Sequence, residues 1–201
     1  MLSWKKDKAG RRILCDALKR VKGYEELCGQ KYKGGYVRTP KKGIYTGIPR
    51  IGTLDFNSMY PSITRAGNIS RETQCVEPAQ PGEANRWTSP CGFSYVTDKE
   101  GIYPMIMREM VEERNKVRAE MKTLDKNGDK WKQLNVYQNE LKIVANGLYG
   151  QMGADVSELV LKSGAASVCA MGAQLAKSAC EAILNCEKFK YMGLDVIYGD
   201  T

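Results

Sequence analysis

The 201-residue sequence contains no histidine. Without an imidazole there is no Ser-His-Asp triad, no Cys-His pair and no His-ligated metal, so any chemistry falls to carboxylates, Lys, Arg, Tyr and metal ions. No apolar run approaches the roughly 20 residues that span a bilayer. The opening MLSWKKDKAGRRIL also lacks the apolar core of a signal peptide. The chain therefore reads as intracellular and soluble, with no membrane partner. Internal repeats and low-complexity tracts are absent, and so is any C-x-x-C pair. The seven cysteines, Cys15, Cys28, Cys75, Cys91, Cys169, Cys180 and Cys186, read as packing residues of a reducing compartment rather than as zinc or redox ligands.

What is present is basic and unevenly so. Net charge is +8, yet residues 1–50 hold 14 Lys/Arg against 4 Asp/Glu, which leaves the remainder slightly acidic. A basic stretch of this kind suits a phosphate-rich partner, with a solvated basic face as the competing explanation. At 42% hydrophobic content the chain can form one large domain or part of a larger one.

Along the chain, Ile13, Leu14, Ala17, Leu18 and Val21 follow helical spacing, which predicts a short helix over residues 12–22. Gly and Pro then punctuate QKYKGGYVRTPKKGIYTGIPRIGTLDF into short extended pieces, the last a strand ending at Asp55. Residues 65–101 are turn-rich, with short strands expected around CGFSYV. A strong helical pattern runs over 103–123, LDKNGD breaks it, and a second helix is expected over 131–148. Two helices joined by so short a loop should lie antiparallel. The Ala-, Ser- and Gly-rich stretch 164–187 predicts a closely packed core helix, leading through YMGL into a terminal strand, VIYGDT.

Two segments end in carboxylates. LDFNSMYPSI carries Asp55, followed by Ser58 and Tyr60, and VIYGDT carries Asp200. If their strands were neighbours, Asp55 and Asp200 would share a small volume and repel unless cations bound between them, and hard oxygen ligands of this kind suit Mg²⁺. On the first helix of the expected hairpin, Arg114 and Arg118 are four apart. On the second, Lys142, Asn146 and Tyr149 fall at i, i+4 and i+7. Folding the hairpin would bring two guanidinium groups and an ammonium onto one surface able to orient a polyphosphate. Glu residues interleaved on the first helix make ordinary surface ion pairs the competing explanation for both arginines. Lys142, between Leu141 and Ile143 and close to an NGLYG turn, fits that explanation less well.

Three segments resemble the motifs of family B DNA-directed DNA polymerases, in the family's order. LDFNSMYPSI is similar to D-x-x-S-L-Y-P-S, KIVANGLYG at 142–150 to K-x-x-x-N-S-x-Y-G, and YGDT to the start of Y-G-D-T-D-S; YKGG at 32–35 resembles Y-x-G-G. The resemblance implies an α+β fold, a palm sheet with helical-hairpin fingers, cut before the thumb. Residues 1–50 would be the end of an N-terminal linker region, 51–103 the first part of the palm, 104–149 the fingers and 150–201 the second part of the palm. It implies two-metal nucleotidyl transfer from deoxynucleoside triphosphates to a primer 3′-hydroxyl in DNA replication. Asp55, Asp200 and the Phe56 carbonyl would hold two Mg²⁺ ions, with Mn²⁺ an allowed substitute. The backbone around Ser58, Met59 and Tyr60 would cradle the triphosphate, with Tyr60 against the sugar to exclude a 2′-hydroxyl. Arg114, Arg118, Lys142 and Asn146 would hold the phosphates, Lys142 serving also the leaving group. Tyr149 and Gly150 would border the nascent base pair, while Tyr32, Gly34 and Gly35 would contact the template. DNA primer–template and nucleotides are the implied partners, and a processivity factor is one that the family allows.

Departures from the motifs are few. Met59 replaces the usual Leu with little change of volume, and Gly147 stands where Ser is usual, which weakens a helix and loosens the expected turn. The sequence stops one residue before the second motif's more important Asp, and neither exonuclease carboxylates nor a thumb is recognisable. The expectation is a fragment that is inactive alone. Two other readings compete: an RNA-templated or RNA-making polymerase, against which the D-x-x-S-x-Y-P-S context of Tyr60 and the YGDT order argue, and a nucleic-acid-binding protein that keeps the fold without the chemistry.

Overall fold

The computed structural model describes residues 5–6, 12–13, 34–45, 51–75, 84–154, 157–192 and 194–201. Helices dominate: α1 (Met59–Ala66), α2 (Ile102–Met121), α3 (Asp129–Gly153), α4 (Lys162–Asn185) and α5 (Glu187–Tyr191). Strands are short and form three antiparallel two-stranded ribbons. β1 (Lys5–Lys6) pairs with β2 (Arg12–Ile13), β3 (Val37–Arg38) with β6 (Gly199–Asp200), and β4 (Arg86–Thr88) with β5 (Ser94–Val96).

The α2–α3 hairpin follows from composition and contact order along the helices. α2 is rich in Met, Glu and Arg and α3 in Leu, Lys and Gln, all of which form helix readily, and Pro104 in the first turn of α2 needs no backbone donor. Lys130 pairs with Glu120 at 2.7 Å and Arg114 with Gln138 at 3.1 Å, so partners further along α3 meet residues further back on α2. That progression makes the helices antiparallel, as expected.

The core gathers Ile63 of α1, Ile69, Phe93, Tyr95, Tyr103, Met152 and Leu161 with Ala165 and Val168 of α4. Small side chains on α4 let neighbouring elements approach closely, and Gly164 to Cys169, Gly172, Ala176 and Cys180 are all buried. Tyr95 reaches through this layer, its hydroxyl 3.1 Å from Ser167 Oγ. Burial pushes its phenol above the usual range. The start of α2 is tied to the layer by two bonds. Glu72 accepts from the amide of Ile102, the first residue of α2, and Tyr103 Oη donates to the Leu159 carbonyl at 2.7 Å. Among the described residues the five cysteines are free thiols: Cys169 and Cys180 are buried, as packing residues should be, whereas Cys75 and Cys186 are partly exposed and Cys91 is exposed. No helix among the described residues is long and apolar enough to cross a membrane.

Several sequence expectations change. Arg12–Ile13 is a strand, not the start of a helix, because it takes its hydrogen bonds from Lys5–Lys6; the rest of the expected helix lies outside the described residues. Residues 51–56 form no strand, since among the described residues no other segment offers them a ladder, and Ile51 and Leu54 are exposed. The terminal strand shrinks to Gly199–Asp200, preceded by the short helix α5. NGLYG is not a turn: α3 continues through Gly147 and Gly150 to Gly153. The mixed class holds as helices with small ribbons, but no single sheet carries both Asp55 and Asp200.

Candidate nucleotide and nucleic-acid site

The start of α1 meets the α2–α3 hairpin at a small cleft. Ser58, Pro61, Arg114, Lys142 and Asn146 line it, over an apolar floor that includes Ala145. Ser58 precedes the helix with φ 50° and ψ 50°, a left-handed conformation that non-glycine residues seldom adopt. This turns the chain sharply from the exposed 51–56 stretch into α1.

The cations of this cleft differ from others on the same helices. Arg108 pairs with Glu100 and Glu112, Lys116 with Glu113, Lys130 with Glu120 and Lys132 with Asp129. Among the described residues Arg114, Arg118 and Lys142 take part in no ion pair. Ordinary surface pairing therefore does not account for the two arginines. Arg114 Nε is held instead by the neutral amide of Gln138. Burial, and then the neighbouring charge of Arg118, lowers the pKa of its guanidinium, which stays charged. Arg118 lies one turn further along α2, exposed and outside the cleft lining.

Behind the cleft, the rings of Tyr60 and Tyr149 are 4.5 Å apart between centroids and tilted by 55°. Met59 packs with them against the core. Gly150 is exposed on α3 with open space around it.

A second assembly joins the ends of the chain. β3 pairs with β6 so that Val37 faces Asp200 and Arg38 faces Gly199. Lys41 is ion-paired with Asp195, and its amide donates to the Ile197 carbonyl at 2.9 Å. A Cβ on Gly35 would run into Thr201 Oγ1, 2.9 Å from the Thr201 carbonyl oxygen and 3.5 Å from Tyr60 Oη. Gly35 is thus the point where the YKGG segment, the YGDT segment and Tyr60 come together. Gly34 has open space, and Tyr32 lies outside the described residues.

The carboxylates are not ladder partners. Asp55 sits in the exposed irregular stretch with Phe56, whereas Asp200 is opposite Val37. Asp200 Oδ2 accepts from Tyr198 Oη at 3.0 Å, and that hydrogen bond raises the pKa of the Tyr198 phenol. Among the described residues no three His, Cys, Asp or Glu side chains gather in one place. Exposed carboxylates in ones and twos still fit Mg²⁺, which retains waters and takes one or two protein carboxylates alongside substrate phosphates.

Sequence reasoning had no signal for Gln138 as the partner of Arg114, or for Cys169 and Gly172 of α4, which touch the tyrosine pair. Only the small-residue character of α4 hinted at close packing there.

Comparisons with known proteins give the family. The family description "DNA polymerase family B" matches residues 5–201. DNA polymerase 1 of Pyrococcus abyssi is 33% identical over 178 residues, covering 89% of this chain and 21% of that protein. The DNA polymerase alpha catalytic subunit of Xenopus laevis is 35% identical over 170 residues, covering 85% of this chain and 11% of that one. The solved structure of the family B DNA polymerase from Pyrobaculum calidifontis matches with a TM-score of 0.63 and 32% identity, over 85% of this chain and 21% of that chain. The chain therefore spans only 11% to 21% of the length of these relatives. The chain belongs to family B of the DNA polymerases.

Proposed function

We propose that the chain supplies part of the palm and the fingers of a DNA-directed DNA polymerase that extends a primer 3′-hydroxyl with deoxynucleotides during replication inside the cell. The observation that carries this reading is the convergence of Arg114, Lys142, Asn146 and Ser58 on one cleft, with its cations outside any described ion pair. Cations held on rigid helices without carboxylate partners keep their full charge for a ligand. The cleft itself is narrow, and its cationic rim suits phosphate groups lying across it.

In this reading α2 and α3 are the fingers, and the segments around α1 and β6 belong to the palm. Arg114 and Lys142 bind and orient the phosphates from opposite helices, Asn146 adds a hydrogen bond, and Arg118 adds longer-range attraction. The backbone at Ser58, Met59 and Tyr60 cradles the triphosphate, and Tyr60 lies against the sugar. Tyr149 and Gly150 border the nascent base pair, while Gly34, Gly35 and Tyr32 meet the template. Lys142 Nζ offsets the charge that develops on the leaving pyrophosphate. Asp55, the Phe56 carbonyl and Asp200 would hold two Mg²⁺ ions. When bound, these lower the pKa of the primer 3′-hydroxyl and offset phosphate charge. Swinging of the hairpin toward α1 completes the phosphate site when the correct base pair forms.

The test is Asp55→Ala in the polymerase that includes this chain, assayed for primer extension and, separately, for primer–template binding. Extension should vanish while binding persists. Unchanged extension would overturn the assignment. A parent that binds DNA but never extends a primer, with Asp55 intact, would leave the non-catalytic reading in its place. Residues 1–201 alone, 11% to 21% of the relatives' length, should extend a primer little or not at all.

A further inference from the structure

We propose that Cys169 and Gly172, on one face of α4, are positioning residues that hold the Tyr60–Tyr149 pair and thereby set sugar selectivity. The inference rests on the reading of Tyr60 as the residue against the nucleotide sugar. Neither α4 residue belongs to the segments that carry the family resemblance.

The geometry is specific on both sides of the pair. A Cβ at Gly172 would stand 3.3 Å from Tyr60 Cε1, 3.3 Å from Met59 Sδ and 3.7 Å from Ile63 Cδ1. Carbon contacts are best at about 3.5–4.0 Å, so α1 rests against α4 with no room to spare. Ile63 is buried in the core and keeps α1 from sliding away. An added methyl must therefore be accommodated by the Tyr60 ring and the Met59 side chain. Three positions earlier, Cys169 Sγ lies 2.8 Å from Tyr149 Oη. At that spacing Cys169 and Gly172 share one helix face. Cys169 is 4% exposed, so the Tyr149 hydroxyl is anchored to a buried thiol. With the two rings 4.5 Å apart, a shift of either ring is felt by the other. α4 thus supports Tyr60 through absence of a side chain and Tyr149 through a hydrogen bond.

The experiment measures kcat and KM for a deoxynucleotide and the matching ribonucleotide in the polymerase that includes this chain. Gly172→Ala, Cys169→Val, Cys169→Ser and the control Tyr60→Val are compared with the unaltered enzyme. The readout is the ratio of the two kcat/KM values within each variant, because a uniform loss of folded enzyme cancels from it. Gly172→Ala and Cys169→Val should each change the ratio by on the order of fivefold, since sub-ångström displacements at a reacting substrate are felt in rate. Cys169→Ser, which keeps a hydrogen-bonding group for Tyr149, should stay within about twofold of the unaltered enzyme. If Gly172→Ala does not fold, the contrast between Cys169→Val and Cys169→Ser decides. A ratio shifted by Tyr60→Val but by neither α4 change overturns the inference and leaves the assignment of Tyr60 standing. A ratio that Tyr60→Val does not shift overturns that assignment, and the inference with it.

Discussion

The amide of Tyr36 donates to the Thr201 hydroxyl at 2.8 Å, and the amide of Thr201 donates to the Tyr36 carbonyl at 3.1 Å. These reciprocal bonds fasten the YKGG and YGDT segments, 165 positions apart, at the place where Gly35 leaves no room for a side chain. Gly35→Ala should push Thr201 away and break these bonds, because the added Cβ would overlap Thr201 Oγ1 and stand 2.9 Å from its main-chain oxygen. Hydrogen exchange at the Tyr36 and Thr201 amides should quicken by on the order of tenfold or more. Unchanged exchange would mean that the segment moves as a unit.

Removing Lys142 or Arg114 should weaken nucleotide binding more than removing Arg118. Charge-assisted hydrogen bonds contribute about 1.5–3 kcal/mol, so Lys142→Ala or Arg114→Ala should raise KM for the deoxynucleotide roughly 10- to 100-fold. Arg118→Ala, outside the cleft lining, should raise it about threefold or less. Steady-state kinetics on the three variants would check the order, and equal effects would mean that Arg118 reaches the phosphates as closely as Arg114 does.

Acid should loosen the base of the hairpin through Glu72. Burial alone would raise its pKa, but hydrogen bonds from the Ile102 amide, its own amide and Ser70, together with Arg71, outweigh this and hold the carboxyl below its usual range. A depressed folded-state pKa stabilises above the unfolded value of about 4.3 and is lost as pH falls through the folded value. Glu72→Gln should therefore lower the melting temperature at pH 7. The difference, on the order of 0.5–1 kcal/mol for a partly exposed helix-terminal carboxylate, should close below about pH 4. Melting curves of both proteins from about pH 3 to about pH 7 would show it.

Asn68 is a hydrogen-bonding hub in a left-handed conformation, φ 48°. Its amide donates to the carbonyls of Val96 at 2.6 Å and Lys99 at 2.7 Å, and its side-chain oxygen accepts from the Gly101 amide at 2.9 Å. Asn68→Ala removes all three bonds and places a residue less tolerant of φ > 0 at the turn. A loss of about 2–4 kcal/mol is expected, roughly 5–15 °C in melting temperature for a chain of this size. Thermal unfolding followed by circular dichroism measures it directly.

Sequence by itself determined the three long helices, α2, α3 and α4, and the chemistry available, but not the shorter α1 and α5. Helical periodicity is local, so the α2–α3 hairpin and the small-residue helix α4 were legible, with errors of a few residues at their ends. The absence of histidine and the spacing of Arg114, Arg118, Lys142 and Asn146 along two helices likewise needed no coordinates. Tertiary structure decided what depends on partners distant in sequence. A short strand exists only where another segment supplies its hydrogen bonds, which is why Asp200 faces Val37 and the stretch around Asp55 is irregular. Arg108 finds Glu112 one turn along its own helix and Glu100 just before it, whereas Arg114 has no carboxylate three or four residues away, and only the folded hairpin brings the neutral Gln138 to it. The contact of Tyr60 with Tyr149, and of both with α4, arises from three elements meeting in space, and no spacing along one chain segment encodes it.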